Sequence, residues 1–424
     1  MFCNPPYAER IGDKIDVESI YRSMPDVLRR LKTWSHYIIT SYPRFEAIVG
    51  QDADRRRKLY NGSIECTYYQ FHGPRPPKEG AAPAPVLDED ATSSSEPVMQ
   101  AFGGLTDRAE PQAEMFANRL AKQARHLRKW PTKREITCYR IYDRDIPEIP
   151  LAVDLYEGRL HIAEYDRPHD RTAGQHADWL EKMAAAAGEK LDISPDNTFL
   201  KRRRRQRGVE QYERVTETGS PRITVSEGGS KFLVNLADYI DTGLFLDHRI
   251  TRGMVRDEAS GKRMLNLFAY TGAFSVYAAA GGAASTTTVD LSSTYLDWAR
   301  ANFRLNELDS DSHRFVRSGA LEFLADHAPG EHYDLAVVDP PTFSNSKSTE
   351  GDFDIQRDYV ALLGGLLKLM SPGGVIYFST NFKRFKFDQT VLPGCTMREI
   401  SKQTVPEDFR NKRIHRCWRI VVDG

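Results

Sequence analysis

The stretch Asp339-Pro340-Pro341-Thr342-Phe343-Ser344-Asn345-Ser346-Lys347 follows directly on the apolar run Tyr333-Asp334-Leu335-Ala336-Val337-Val338. A short, nearly uncharged run of this kind predicts a strand buried on both faces of a parallel sheet. Two consecutive prolines cannot extend it, since each lacks the ladder donor and stiffens the residue before it. The chain must turn there, holding the Asp339 carboxylate and the Phe343 ring at the carboxyl end of the strand. Open α/β sheets bind their ligands at that edge. A base about to be modified needs a polar group for its edge and a ring for its face. An ordinary Pro-Pro turn would account for the motif taken alone.

The neighbouring sequence adds to it. From Phe232 onward, strands and helices alternate as in a doubly wound α/β sheet. Arg263 to Phe268 predicts a strand that enters Ala269-Tyr270-Thr271-Gly272-Ala273-Phe274, and a helix through Ser275–Ala280 stops at Gly281-Gly282. The strand from Ser285 to Val289 ends in Asp290, and a helix over Ser293 to Asn306 follows. Beyond Asp339 come a helix (Tyr359 to Met370), the turn Ser371-Pro372-Gly373-Gly374 and the strand Val375 to Ser379. Segments near Thr396 to Lys402 and Arg416 to Val422 are expected to supply a closing antiparallel pair.

A strand, a glycine turn and an acid ending the next strand make a nucleoside pocket. Gly272 lets the backbone approach a ligand, and the helix after it points its positive end there. Asp290 lies 18 residues beyond Gly272, close to the ~20 expected of a carboxylate that binds ribose hydroxyls. One glycine is a poor cradle for pyrophosphate. A phosphate-free nucleoside fits better, with S-adenosylmethionine the obvious choice. The competing reading of Asp290 is a plain helix N-cap partner.

The rest of the chain sets bounds. Its 424 residues suffice for two or three domains. Lys plus Arg equals Asp plus Glu, 59 of each, so any nucleic-acid surface must be local. Cys3, Cys66, Cys138, Cys395 and Cys417 are odd in number and scattered, which argues against a disulfide framework and a zinc site. No metal is expected. With no signal-peptide pattern and no apolar run of ~18 residues, the expectation is a soluble, cytoplasmic protein without a membrane partner.

Residues 1–72 form a first block, with a helix over Asp16 to Lys32 and strands at Tyr37 to Thr40 and Ile64 to Phe71. Residues 73–111 turn to Pro, Ala, Gly, Ser and acids and are expected to be a disordered linker. Residues 112–231 open with a helix burying Phe116, Leu120, Ala124 and Leu127. Strands around Ile136 to Tyr142, Ala152 to Tyr156 and Leu160 to Ala163 follow, the last two paired through Gly158, and then a helix stopping near Gly188. Lys201-Arg202-Arg203-Arg204-Arg205-Gln206-Arg207 is the densest charge in the chain, either a solvated loop tip or a phosphate-gripping hairpin.

Leu265 to Ala273, Thr288 to Ser292, Tyr295 to Ala299, Asp339 to Lys347 and Gly243-Leu244-Phe245-Leu246-Asp247-His248-Arg249 together resemble the guanine-N7 domain of the bifunctional large-subunit ribosomal RNA methyltransferases. The resemblance implies a Rossmann-like class I methyltransferase fold for residues 232–424, with a mostly parallel seven-stranded sheet, preceded by a smaller α+β RNA-facing domain. It implies S-adenosylmethionine as cofactor and 23S ribosomal RNA as partner, and tips the arginine run toward phosphate contact. Its implied cofactor residues are Asp247, Arg249, Asn266, Phe268, Thr271, Gly272, Asp290, Leu291, Ser318, Gly319 and Ala320. Gly319 stands where relatives usually carry Asp. Asn4-Pro5-Pro6-Tyr7, with Arg57 to Gly62, resembles the trailing half of the guanine-N2 domain of the same enzymes. On that resemblance the chain is expected to be the C-terminal piece of a longer protein, whose missing N2 part is a further partner.

Chemistry narrows the acceptor atom. Methylation of cytosine C5 needs a Cys thiolate, and the strand ending Phe378-Ser379-Thr380-Asn381-Phe382 has none. Guanine N7 offers a lone pair and no proton to lose. Asp339, Pro340, Pro341 and Phe343 are therefore expected to form the catalytic turn, with Lys347 and Asn381 as RNA contacts. Amino methylation of a base, or a non-catalytic RNA-binding or ribosome-assembly factor with a decayed pocket, are the alternatives.

Overall fold

The computed structural model describes residues 1–5, 14–74, 100–201, 221–238, 241–326, 330, 332–344 and 352–424. In chain order the first elements are β1 (Phe2–Cys3), α1 (Lys14–Leu28), β2 (His36–Thr40), α2 (Phe45–Val49), β3 (Arg55–Asn61), β4 (Ile64–Phe71), α3 (Ala109–Leu127) and α4 (Trp130–Lys133). Next come β5 (Cys138–Asp143), β6 (Leu151–Tyr156), β7 (Arg159–Glu164), α5 (Ala173–Leu191) and β8 (Thr198–Lys201). The chain divides into two compact units, one of Met1–Asn118 with Arg167–Lys190, the other of Arg119–Asp166 with Leu191–Gly424. This division cuts across the domain limits expected from composition.

In the first unit the strands form one sheet in the order β1-β2-β4-β3, with β1 parallel to β2 and the other pairs antiparallel. Ile38, Tyr69 and Phe71 alternate onto the face that packs against Val17, Tyr21 and Leu28 of α1 and Phe45 and Val49 of α2. Ala101 and Phe102 are buried in the same core. The linker expected over 73–111 therefore does not include them, because burying an aromatic ring outweighs the ordering entropy of its neighbours; its residues 75–99 lie outside the described residues. Helix α5 runs through Gly188, which is buried rather than terminal.

In the second unit β5-β6-β7-β8 make a four-stranded sheet, and β9 (Ile223–Glu227) and β10 (Ser230–Val234) a hairpin. That hairpin spans the boundary expected at 231/232. Val225, Phe232 and Val234 pack with Val276, Tyr277 and Phe303, so its burial belongs with the last block. The remaining elements are α6 (Arg249–Glu258), β11 (Arg263–Leu267), α7 (Ala273–Ala280), β12 (Ser285–Asp290), α8 (Ser293–Leu305), β13 (His313–Arg317), α9 (Ala320–Ala325) and β14 (Tyr333–Val338). After them come β15 (Phe343–Ser344), β16 (Phe353–Asp354), α10 (Ile355–Leu367), β17 (Met370–Thr380), β18 (Cys395–Glu399), α11 (Ser401–Thr404) and β19 (Arg416–Val422).

Seven of these strands form one sheet in the order β13-β12-β11-β14-β17-β19-β18, parallel as far as β17 and antiparallel at β19 and β18. Both faces are covered, which is why Leu335–Val338 of β14 and Val375–Phe378 of β17 read as apolar runs, while β12 is a β-branched run of threonines ending in Val289. Met264, Leu335, Val337, Val375 and Tyr377 point toward α6 and α7. Leu265, Ala336, Val338, Ile376 and Phe378 point toward α10 on the other face. Strand order reverses beside β11, so the carboxyl ends of β11, β12 and β14 open a crevice at one edge. Among the described residues no helix is long and apolar enough to cross a membrane.

Candidate active site

The turn from β11 into α7 is unusually bent. Phe268 and Tyr270 have φ of 56° and 51°, and Gly272 has φ of 72°. Non-glycine residues in the left-handed region are uncommon and persist where surrounding contacts impose them. Asp290, at the end of β12, accepts the Tyr270 amide at 2.8 Å on Oδ2 and the Ser292 amide at 2.9 Å on Oδ1. Thr271 Oγ1 donates to the Gly243 carbonyl at 2.6 Å, and Asn302 Nδ2 donates to the Thr271 carbonyl at 3.0 Å. Burial pushes the Asp290 carboxyl up to about 6, against the two amides that favour its charged form. A carboxylate held by two backbone donors still has lone pairs for two vicinal hydroxyls.

Gly272 is glycine for a reason besides the one expected. A Cβ there would lie 2.7 Å from Cβ of Ala299 on α8, so the glycine permits helix packing as well as the positive φ. Asn266 and Thr271 are buried, with Asn266 Nδ2 on Ser275 Oγ at 3.0 Å. Their side chains brace the turn instead of facing the crevice. Phe268 leans on Phe353, ring centroids 5.3 Å apart. On the neighbouring strand, Ser318 donates its backbone amide to the Asp290 carbonyl at 3.3 Å. Glu322 folds back to accept from Ser318 Oγ and the Gly319 amide, at 3.1 and 3.2 Å, while Ala320 is buried and Leu291 half-buried. The Gly319 amide is thus already committed to Glu322.

Asp339 sits at the carboxyl end of β14, where Ser379 Oγ of β17 donates to its Oδ1 at 2.5 Å. Pro340 is buried and Pro341 half-buried. The loop is closed from β17 by Thr342 Oγ1 donating to Asn381 Oδ1 at 2.6 Å. Phe343 is 49% exposed, so its ring is not part of the core. Behind Asp339 lies a cluster that the motif reading missed. His248 Nε2 is 3.4 Å from Asp339 Oδ2, and its ring stacks on His415 at 4.4 Å and 12°. His415 Nδ1 pairs with Asp247 Oδ2 at 2.9 Å, and its Nε2 with Thr404 Oγ1 at 3.0 Å. Burial would raise the Asp247 carboxyl, but His248 and the His415 hydrogen bond hold it well below the usual range.

Asp247, His248 and His415 bring ligand-type atoms within 4.8 Å of one another. Near-parallel rings cannot aim lone pairs at one ion ~2.1 Å away, and both His415 nitrogens are engaged. The cluster instead places the His248 ring behind Asp339, with His415 held beside it by Asp247 and Thr404. His415 lies 76 positions from Asp339 in a segment without a motif, and only the antiparallel return of β19 brings it there.

Residues 144–411 match the family model for the S-adenosylmethionine-dependent methyltransferases, and residues 1–70 match that of the RMKL-like methyltransferase domain. The chain belongs to the S-adenosylmethionine-dependent methyltransferases. Proteins named ribosomal RNA large subunit methyltransferase K/L are similar to it. That of Syntrophotalea carbinolica is 44% identical over 421 residues, covering 99% of this chain and 56% of the relative. That of Hahella chejuensis is 43% identical over 432 residues, again covering 99% and 56%. The chain thus spans little more than half the length of these curated relatives. Among solved structures, SMU.776 complexed with SAH aligns with a TM-score of 0.58 at 20% identity, over 92% of both chains. A Streptococcus mutans structure aligns at the same TM-score and 18% identity over both whole chains. These share the fold.

At the carboxyl ends of β12 and β13 stand the Asp290 carboxylate, half-buried Leu291 and buried Ala320. Two expected contacts fall elsewhere. Arg249 of the methyltransferase is buried, its guanidinium spent on Glu227 at 2.8 Å, Asp408 at 3.0 Å and the Cys138 carbonyl at 2.6 Å. It ties α6 to β9 and cannot reach a cofactor. Lys201 turns its ammonium onto the Ala237 carbonyl, and burial pushes that group's pKa down, opposed by Asp238. A half-buried ammonium already bound to a carbonyl is poorly placed to grip phosphate. Arg202, Arg203, Arg204, Arg205, Arg207 and Lys347 lie outside the described residues.

Proposed function

We propose that the seven-stranded domain transfers a methyl group to guanine N7 in 23S ribosomal RNA. Support comes from the K/L relatives, which are named for large-subunit ribosomal RNA, and from the chemistry at Asp339. The observation that narrows the acceptor to a purine nitrogen is Cys417. It pairs with Ser379 across β17 and β19, next to Asp339, yet it is fully buried. Burial, then Asp339 and Glu399, push its thiol far above the ordinary range. Such a thiol is inert as a nucleophile, which removes covalent activation of a pyrimidine carbon.

Guanine N7 needs no nucleophile and no base. S-adenosylmethionine, when bound, supplies an electrophilic methyl group on a sulfonium. What remains for the protein is to hold the base in line and keep water out, and orientation of this kind is worth ~7–11 kcal/mol. Positive charge grows on the guanine ring as N7 gives up its lone pair. A carboxylate ~4 Å away at an effective dielectric near 20 offsets about 4 kcal/mol of it. Asp339, pinned by Ser379 at the carboxyl end of β14, is the carboxylate we assign to this role. Phe343, half-exposed on the same loop, supplies a stacking face.

Amino methylation at guanine N2 is the second reading, favoured by Asn4 at the carboxyl end of the parallel strand β1 and by the family match over residues 1–70. The deciding experiment is mass spectrometry of nucleosides from 23S RNA incubated with the protein and labelled donor. Label in 7-methylguanosine is expected. Label confined to N2-methylguanosine or 5-methylcytidine would overturn the N7 reading.

A further inference from the structure

Beyond Ser379, β17 ends at Thr380 and the chain runs on as Asn381-Phe382-Lys383-Arg384-Phe385-Lys386-Phe387. Rings and cations alternate in this loop, and the structure separates them completely. Phe385 is buried against Phe378, Tyr359 and Trp418, with centroids 5.2 to 5.6 Å apart. Phe387 packs on Trp418 at 5.0 Å. The backbone between them is fastened from three sides. Lys386 donates its amide to Gln356 Oε1 at 2.7 Å, and Gln356 Nε2 returns to the Lys386 carbonyl at 3.1 Å. Arg416 Nη1 donates to the Phe385 carbonyl at 2.7 Å.

The three cations take no part in this anchoring. Lys383, Arg384 and Lys386 are all exposed, and among the described residues none of their side chains has an ion-pair or hydrogen-bond partner. The acids around them are committed elsewhere. Asp354 caps α10 through the Gln356 and Arg357 amides, Asp358 pairs with Arg357, and Asp388 caps Thr390. A rigid loop holding three unpaired positive charges in water serves folding in no way, since their mutual repulsion opposes it. Its place explains it. The loop begins where Asn381 takes the Thr342 hydroxyl, so it flanks the turn that carries Asp339 and Phe343.

We infer that Lys383, Arg384 and Lys386 form a phosphate-gripping surface for the RNA strand that flanks the target base. The inference rests on the reading that the substrate is RNA, and it adds a surface that neither the arginine run at 202–207 nor Lys347 supplies. The anchored backbone sets the grip at a fixed distance from the base-handling turn. A nucleotide turned out of its stack toward Asp339 needs its neighbours' phosphates held just there. Phosphate, with its oxygens presented along a chain, suits three cations spaced over four residues.

The test uses the full chain with Lys383, Arg384 and Lys386 all changed to Gln. Binding to a fragment of 23S RNA is titrated across salt concentration without donor, and methyl transfer is measured in parallel. The slope of log affinity against log salt should become shallower by about 2, at ~0.7 per lost single-strand phosphate contact. KM for RNA should rise about tenfold or more, with kcat at saturating RNA and donor affinity unchanged. An unaltered salt slope would overturn the inference. So would a fall in kcat with KM unchanged, which would mark the loop as a brace for the Asp339 turn. Loss of binding to an acidic protein alone, with RNA binding intact, would reassign the surface to such a partner. Because the slope is read without chemistry, a label found on an atom other than N7 would sink the proposed function and leave this surface standing.

Discussion

His248 places Nε2 3.4 Å from Asp339 Oδ2 while its Nδ1, buried, meets no partner among the described residues. That asymmetry fixes the neutral tautomer with its proton on Nε2, facing the carboxylates. Protonating Nδ1 would bury an unsatisfied N–H, costing about 1–3 kcal/mol, and would set a cation 4.4 Å from the His415 ring. Burial, the main cause, lowers the His248 pKa, while Asp339 and Asp247 oppose that and His415 and Arg252 add to it. A neutral His248 leaves the Asp339 charge uncancelled.

The first prediction concerns pH. A histidine depressed in the fold contributes stability that is present above its ordinary pKa of ~6.5 and is lost as pH falls through the lower folded value. The melting temperature should therefore decline on acidification, and kcat should decline with it as the imidazolium neutralises Asp339. In His248→Gln the amide can still donate to Asp339 but cannot titrate. Its kcat–pH profile should lack the acid limb while KM for RNA stays put. An unshifted acid limb would exclude His248.

Asp339→Asn keeps the volume and removes the charge. Loss of one preorganised electrostatic partner at the reacting centre typically costs about 10²–10³ in turnover, with donor binding nearly unchanged because Asp290 is untouched. Ser379→Ala removes only the bond that orients Asp339. A hydrogen bond to a charged group is worth ~1.5–3 kcal/mol, so a roughly tenfold to hundredfold fall in kcat is expected. Steady-state kinetics beside donor calorimetry distinguishes the two sites.

Asp290 should make donor binding pH-dependent in its own way. With its carboxyl raised to about 6, the ionised form that our reading assigns to the ribose hydroxyls is lost below that pH. Affinity for S-adenosylmethionine should weaken by roughly tenfold for each unit below it. Asp290→Asn should bind weakly at every pH, with a flat profile by titration calorimetry.

How much of this was legible in the chain follows from where each element sits. β14 and β17 are buried on both sides and announce themselves by apolar runs, β12 by its β-branched Thr286-Thr287-Thr288-Val289. Among the strands that escaped notice, β3 with Arg55-Arg56-Arg57-Lys58 and β13 with His313 and Arg314 lie at sheet edges. Edge strands tolerate charge, so hydrophobic pattern is a weak guide there. Asp290 and Asp339 were visible because each ends a run. Ser379 and His248 reach Asp339 from β17 and from before α6, and His415 reaches His248 from before β19, a convergence that no local pattern encodes. Arg249 misled for the same reason: its partners Glu227 and Asp408 are 22 and 159 residues away.

That buried ion cluster carries a stability prediction. Glu227 is fully buried between Arg249 and Arg252 and also takes the Tyr277 hydroxyl. Burial alone would raise its carboxyl, but the two guanidinium groups, Arg252 first, hold it below the ordinary range. Glu227→Gln leaves two buried cations short of a counter-charge and should cost about 3–5 kcal/mol. Denaturant melts should show the loss at neutral pH. Since the carboxyl is depressed, the wild type should forfeit the same stability as pH falls below ~4.5 and through the folded value, narrowing the gap.

Gly272 separates two explanations of one glycine. If ligand approach alone required it, Gly272→Ala would hurt donor affinity and leave the fold intact. The structure gives two other costs, a φ of 72° and a Cβ 2.7 Å from that of Ala299. Left-handed backbone costs a non-glycine residue about 1–2 kcal/mol, and overpacking adds about 1–3. Gly272→Ala should therefore lower the melting temperature even without donor. Ala299→Gly in the same chain removes the clash but not the strain, so it should restore part of the loss despite glycine's own penalty in a helix, ~1 kcal/mol. A double mutant no more stable than the two single losses added together would show that α8 does not press on this turn.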